Sequence, residues 1–138
     1  MQTIKVRHNC EMAHRLTETP GKCEQIHGHS WWVELEIGGD IDSAGILGGL
    51  EFGEVKKVFR GFLDGKFDHR LLLNVCDPVV DIRVDDDTLP GLQVMQGDPT
   101  TENFARIVGE EMRNHFGTKF QYRVVVWETS VNAATWEG

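Results

Sequence analysis

Cysteine is scarce in this chain: its 138 residues include three, Cys10, Cys23 and Cys76. Three thiols cannot all pair within one chain and no C-x-x-C pair occurs, which excludes a disulfide scaffold and points to free thiols in a reducing compartment. Basic residues are outnumbered, 14 Lys+Arg against 22 Asp+Glu. The resulting net charge of −8 is the wrong sign for a protein that holds nucleic acid through its phosphates. A small anionic substrate is still allowed, because a few local cations outweigh a distant field. No apolar window reaches about 18 residues, and the opening Met1-Gln2-Thr3-Ile4-Lys5 lacks the apolar core of a signal segment. The expectation is a cytoplasmic protein with no membrane partner. Internal repeats and low-complexity tracts are absent too. What is present is ordinary, 40% apolar and 26% charged residues, and the length suits one domain, residues 1–138.

Periodicity then sets the elements. Ile4, Val6, His8, Cys10, Met12 and His14 share one parity, which predicts a strand from Thr3 to His14. Trp31, Val33, Leu35 and Ile37 alternate with Trp32, Glu34 and Glu36, giving a second strand that begins near Ile26 and ends at Gly38-Gly39-Asp40. Ile41 to Leu50 is glycine-rich and reads as a turn. Phe52, Val55, Val58, Phe59 and Phe62 recur at helical spacing. A second helix is predicted from about Thr101 to Phe116, with an N-cap at Thr100 or Asp98 and a stop at Gly117. Phe120, Tyr122, Val124, Val126 and Glu128 mark a third strand, and Asn132 to Trp136 a short fourth. Between the two helices, from Leu73-Asn74 to Pro99, the acidic stretch reads as a long loop carrying a short strand at Val79–Val84. The implied architecture is α+β, β-β-α-α-β-β, with both helices on one face of a four-stranded antiparallel sheet.

One group of residues carries chemistry. The period of two puts His27 and His29 on one face of the second strand, with Gly28 leaving space beside them. His14, ending the first strand, supplies a third imidazole if those strands are neighbours. Three neutral imidazoles with an open fourth position describe a catalytic Zn²⁺ site; two satisfied surface histidines are the plainer alternative. Cys23, four residues before His27, is a candidate ligand, nucleophile or general base, or an inert small side chain. Its polar neighbours Lys22 and Glu24 argue against a core position, whereas Cys10 has the parity of packing. Asp68-His69 can fix a tautomer or relay a proton, or else is a surface turn. Glu128, in register with Val124 and Val126, either ends its strand at solvent or grips a guanidine-like edge through two parallel N–H bonds.

Together these residues form a series: Ala13-His14-Arg15-Leu16, Lys22-Cys23-x-x-x-His27-Gly28-His29, Asp68-His69-x-x-Leu72-x-Asn74, Pro99-Thr100-Thr101-Glu102-Asn103 and Glu128-Thr129. In order and over almost the full chain, it resembles the 6-pyruvoyl-tetrahydropterin synthase / 6-carboxy-tetrahydropterin synthase family. The resemblance implies a tunnelling fold whose sheets join into a barrel, in trimers that stack into hexamers. It implies that His14, His27 and His29 bind zinc, that Cys23 abstracts a proton, and that Asp68 with His69 forms a second proton-transfer pair. It implies, further, that Glu128 holds the pterin's amino-pyrimidine edge with help from Thr100, Thr101 and Glu102. The implied substrate is 7,8-dihydroneopterin triphosphate, with Lys22 and Arg15 as candidate phosphate contacts.

Two outcomes compete within that family. One keeps the three-carbon side chain as a pyruvoyl group; the other cleaves it to leave a 6-carboxyl and release acetaldehyde. The short N-terminus and the run Leu35-Glu36-Ile37-Gly38-Gly39-Asp40 look more like the bacterial carboxy-forming branch, which feeds queuosine and related 7-deazaguanine synthesis. A non-catalytic metal-binding module of the same fold is the third reading. The chain departs from the family pattern at Glu51-Phe52 (usually Asp-Phe), around Asn9, Cys10 and Met12, and in the length of Val75–Asp98.

Overall fold

Alternation along the first hairpin sets the frame. A computed structural model describes residues 1–80 and 89–138. Strands β1 (Gln2–His14) and β2 (His27–Gly39) pair antiparallel over their whole lengths, placing Cys10 opposite Trp31, Met12 opposite His29, and His14 opposite His27. Helix α1 (Phe52–Lys66) follows, then β3 (Arg70–Asn74), β4 (Leu92–Met95), α2 (Thr101–Phe116), β5 (Gln121–Trp127) and β6 (Ala133–Glu137). The sheet order is β4-β3-β1-β2-β5-β6.

The sheet therefore has six strands where the sequence predicts four, and it is mixed: β3 runs parallel to β1, and β4 parallel to β3. Arg70-Leu-Leu-Leu-Asn shows no alternation, because Leu72 and Leu73 are both buried although they point to opposite faces. Such a short run is characteristic of a parallel strand covered on both sides. Leu92–Met95 is four residues long and hidden among glycine, proline and acidic neighbours. At the predicted strand Val79–Val84, Val79 and Val80 belong to a turn and residues 81–84 lie outside the described residues.

Both helices cover one face of this sheet. Val55, Phe59 and Leu63 of α1 and Phe104, Val108 and Met112 of α2 pack on Val6, Cys10, Trp31, Val33, Leu35, Val124 and Val126. Glycine and β-branched residues interrupt these two helices, at Gly53, Val55, Val58, Gly61, Gly65 and Gly109 among others. Burial of the apolar stripe, at about 1.5–3 kcal/mol for each large side chain, rather than propensity, holds them in place. The Glu51 side chain at the N-cap of α1 makes no capping bond, whereas Thr100 caps α2 by accepting from the Asn103 N–H at 3.2 Å. Gly117, at φ 95°, ends α2 as predicted.

The helix-to-sheet approach is tightest at Gly109, where a Cβ would collide with the Trp136 ring of β6. Gly109→Ala gains about 1 kcal/mol of helix propensity but overpacks this contact at about 1–3 kcal/mol or more. The expected outcome is a lower melting temperature and altered Trp fluorescence; unchanged melting would contradict the packing described. Among the described residues, no helix is long and apolar enough to cross a membrane.

Candidate functional site

The register of β1 and β2 carries three imidazoles to one end of the helix-covered face. His14 and His27 are direct cross-strand partners, and His29 is one pleat away on the same face. Their rings stand 4.6–5.3 Å apart by centroid, and one nitrogen from each falls within 4.8 Å of the others. The Trp31 ring packs beside His14 and His29 and is itself fixed by Phe104 and by its indole N–H on the Met12 carbonyl at 3.2 Å.

The hydrogen bonds behind the rings determine what the site can accept. His14 Nδ1 lies 2.7 Å from the Pro99 carbonyl, and His27 Nδ1 lies 2.7 Å from that of Gln25. A carbonyl only accepts, so each Nδ1 carries the proton and each Nε2 presents a lone pair. Those two Nε2 atoms are 3.1 Å apart, which sets lone pair against lone pair unless a cation stands between them. Among the described residues, His29 Nε2 is buried without a hydrogen-bond partner, although Glu128 Oε1 lies 3.4 Å away. Burial holds His14 below the ordinary imidazole range, opposed by the Pro99 carbonyl and helped by its imidazole neighbours. A neutral ring is the form a metal needs. The residues present fit a metal ion.

Glu128, just beyond β5, is half-buried, and its Oε2 accepts from the Thr101 hydroxyl at 2.6 Å. Thr101 thus orients the carboxylate next to His29. Thr100 is engaged in capping α2, and Glu102 is exposed in the first turn of that helix. Cys23 is half-buried in a short 3₁₀ turn, Lys22–Glu24, whose main chain is tied back by Leu16 N–H to the Cys23 carbonyl at 2.8 Å. It is not among the grouped ligand atoms. Cys10 is packed in the core, where burial pushes its thiol up to about 12, and Cys76 is exposed.

Asp68 and His69 are together, but elsewhere. Asp68 Oδ2 lies 2.7 Å from His69 Nδ1, and Oδ1 accepts from the Glu11 N–H at 2.9 Å. His69 adopts φ 59° and donates its own N–H to the Glu11 carbonyl at 2.7 Å. That left-handed conformation is uncommon for a residue with a side chain, and the two main-chain bonds to Glu11 enforce it. The backbone N–H of Glu11 holds Asp68 below the usual carboxylate range, with burial opposing and His69 assisting. His69 lines an open cleft with Glu11, Ala13, Gly28 and Ser30, to which Met12 and His29 also contribute. The first four alternate with Met12, His14, His27 and His29 and so face the opposite side of the sheet. Neither Asp68 nor His69 is among the grouped ligand atoms of the three imidazoles.

Sequence reasoning gave no role to a buried polar frame beside the site. Arg15, a candidate phosphate contact, grips Asp77 through Nε at 2.6 Å and a terminal nitrogen at 2.7 Å. Asp77 is fully buried. Burial raises its pKa, but Arg15 and the Val79 N–H outweigh that and leave it below the usual range. Arg15 is therefore a structural cation here. A bidentate pair between residues 62 apart in sequence leaves no local signal, since neither the spacing nor the flanks announce it.

Comparison with known proteins agrees with this geometry. The family model described as 6-pyruvoyl tetrahydropterin synthase matches residues 3–138. A 6-carboxy-5,6,7,8-tetrahydropterin synthase of Rickettsia conorii is 30% identical over 103 residues, covering 74% of this chain and 73% of that protein. One from Aquifex aeolicus is 24% identical over 125 residues, covering 84% and 76%. Among solved structures, an uncharacterized protein of Wolinella succinogenes superposes with a TM-score of 0.80 at 18% identity, covering 98% and 97% of the two chains. The 6-pyruvoyltetrahydropterin synthase of Plasmodium vivax superposes at 0.76 and 17% identity, covering 100% and 99%. The structural likenesses establish the tunnelling fold, and by the match over nearly its whole length the chain belongs to the 6-pyruvoyl tetrahydropterin synthase family.

Proposed function

We propose that this protein is a zinc-dependent 6-carboxy-5,6,7,8-tetrahydropterin synthase. It would convert 7,8-dihydroneopterin triphosphate and water to 6-carboxytetrahydropterin, acetaldehyde and triphosphate. The observation that carries the reading is the imidazole group, with two carbonyl-backed Nε2 atoms 3.1 Å apart and a buried, unpartnered Nε2 on His29. Two zinc–nitrogen bonds of about 2.0–2.1 Å at a tetrahedral angle put their nitrogens roughly 3.3 Å apart, close to that separation. The names of the curated relatives favour the carboxy-forming branch, and with it a place in queuosine and 7-deazaguanine synthesis. Free thiols suit a cytoplasmic home, and the family match supports one domain over residues 1–138.

In this reading His14, His27 and His29 hold zinc, which when bound would acidify a side-chain hydroxyl of the substrate and steady negative charge beside it. Cys23 takes the carbon-bound proton as general base. Glu128, steadied by Thr101, accepts two N–H bonds from the amino-pyrimidine edge of the pterin, with Thr100 and Glu102 at the rim. Asp68 orients His69 to move a second proton. Because that pair lies across the sheet from the imidazoles, a neighbouring subunit supplies it, in an assembly of trimers stacked as a hexamer.

Anaerobic incubation of the zinc-loaded protein with dihydroneopterin triphosphate decides the product. The expected result is 6-carboxytetrahydropterin with stoichiometric acetaldehyde. A product retaining all three side-chain carbons would assign the 6-pyruvoyl activity instead. No turnover by a fully loaded protein would leave a non-catalytic metal-binding module.

A further inference from the structure

The polar frame beside the site converges on one carboxylate. Asp98 is 6% exposed. Its Oδ1 accepts from Asn74 Nδ2 at 3.0 Å and from the Thr17 hydroxyl at 2.7 Å, and its Oδ2 accepts from the Glu18 N–H at 2.9 Å. Its backbone carbonyl accepts from the Thr100 N–H at 2.8 Å and from Asn103 Nδ2 at 2.9 Å. One residue thus joins the chain just after β1, the end of β3 and the first turn of α2. Asp98 is not the helix cap, since Thr100 fills that place. The residue pinned between these anchors is Pro99, whose ring fixes φ and whose carbonyl sits 2.7 Å behind His14 Nδ1.

We propose that Asp98 is a positioning residue for the metal centre: by clamping both sides of Pro99 it aims the carbonyl that keeps His14 in its Nδ1–H tautomer, with Nε2 facing the ion. This rests on the zinc reading of His14, His27 and His29. Outer partners of this kind orient a ligand ring and set its basicity, and a backbone carbonyl does so only as well as its own peptide is held. Burial raises the pKa of Asp98, but the bonds from Asn74, Glu18 and Thr17 outweigh it and keep the carboxylate below its usual range. A charged acceptor is what three converging donors require.

Asp98→Asn keeps the shape and replaces one acceptor oxygen by a donor, so at least one of the three donors loses its partner. Competition against a chromophoric zinc chelator at fixed pH should show zinc affinity reduced about 10–100-fold. Long-range ¹H–¹⁵N spectra of the zinc-free protein should show His14 no longer held in the single Nδ1–H tautomer. Thr17→Val removes one donor only and should cost roughly 3–10-fold in affinity, below the full outer-partner effect; it carries the test if Asp98→Asn does not fold. A lowered melting temperature with unchanged zinc affinity and an unchanged His14 tautomer would make the clamp merely structural and overturn the proposal. Failure of the unaltered chain to bind zinc would instead overturn the zinc reading beneath it.

Discussion

Replacing His27 with alanine is expected to lower zinc affinity by more than about 100-fold and to abolish turnover, because loss of an outer partner alone costs 10–100-fold and His27 is a proposed direct ligand. His27 offers the cleaner test of the three. His14 is 1% exposed and packs against Trp31 and both other imidazoles, so its removal opens a cavity as well as a coordination position. His27 is half-buried at the first position of β2, and its ring also bonds the nearby Gln25 carbonyl. Alanine there relieves the 3.1 Å approach of two lone pairs in the metal-free protein. The metal-free variant should therefore melt at or slightly above the unaltered metal-free chain, while losing the rise in melting temperature that bound zinc gives by mass action. Metal content by atomic absorption, melting with and without zinc, and product formation make the measurement. Retention of about one zinc per chain with a normal rate would remove His27 from the ligand set.

The grouping of the three imidazoles was legible because alternation in a hairpin is strict. Once β1 and β2 are neighbours, the parities of His14, His27 and His29 can converge only on one face, and the sequence supplies the parities. Cys10 was equally legible as core, for the same reason. The missed strands fail for the converse reason. Leu71-Leu72-Leu73 points side chains both ways into buried surroundings, so no alternation survives, and β4 is too short to show a period. Without β3 the sheet reads as purely antiparallel and ends at β1. The face on which His69 sits then cannot be assigned, since it follows from the parallel register of Arg70 with Met12. The frame around Asp98 and Asp77 was illegible for another reason. Each bond joins residues far apart in the chain, Thr17 with Asp98 or Arg15 with Asp77, and charge composition alone does not tell a buried carboxylate from a solvated one. Thr100 and Thr101 divide a task that the family resemblance implied for both: one caps the helix and the other steadies Glu128.

The opposite placement of His69 and the imidazoles shapes the second large effect. Cys23→Ala is expected to keep the zinc, because three imidazole nitrogens remain grouped without it, and to lose about 10²–10⁴-fold in turnover, the usual contribution of a positioned base. The fold should tolerate it. Cys23 is half-buried in a turn held by main-chain bonds, Leu16 N–H to the Cys23 carbonyl and Gln25 N–H to the Lys22 carbonyl, none of which uses the thiol. His69→Ala should be comparably inactive yet zinc-loaded, since its ring is exposed and its main chain is anchored to Glu11. If a site takes Cys23 from one subunit and His69 from the next around a closed ring, mixing the two variants restores intact sites. At equal amounts about a quarter of interfaces would pair an unaltered Cys23 with an unaltered His69. Unfolding and refolding the variants together should therefore return about that fraction of activity, and refolding either alone should return none. Full activity of Cys23→Ala alone would end its role as base. Two inactive variants that stay inactive after verified subunit exchange would mean that the chemistry is completed within one chain, which requires His69 to reach the imidazole face by a rearrangement of β3.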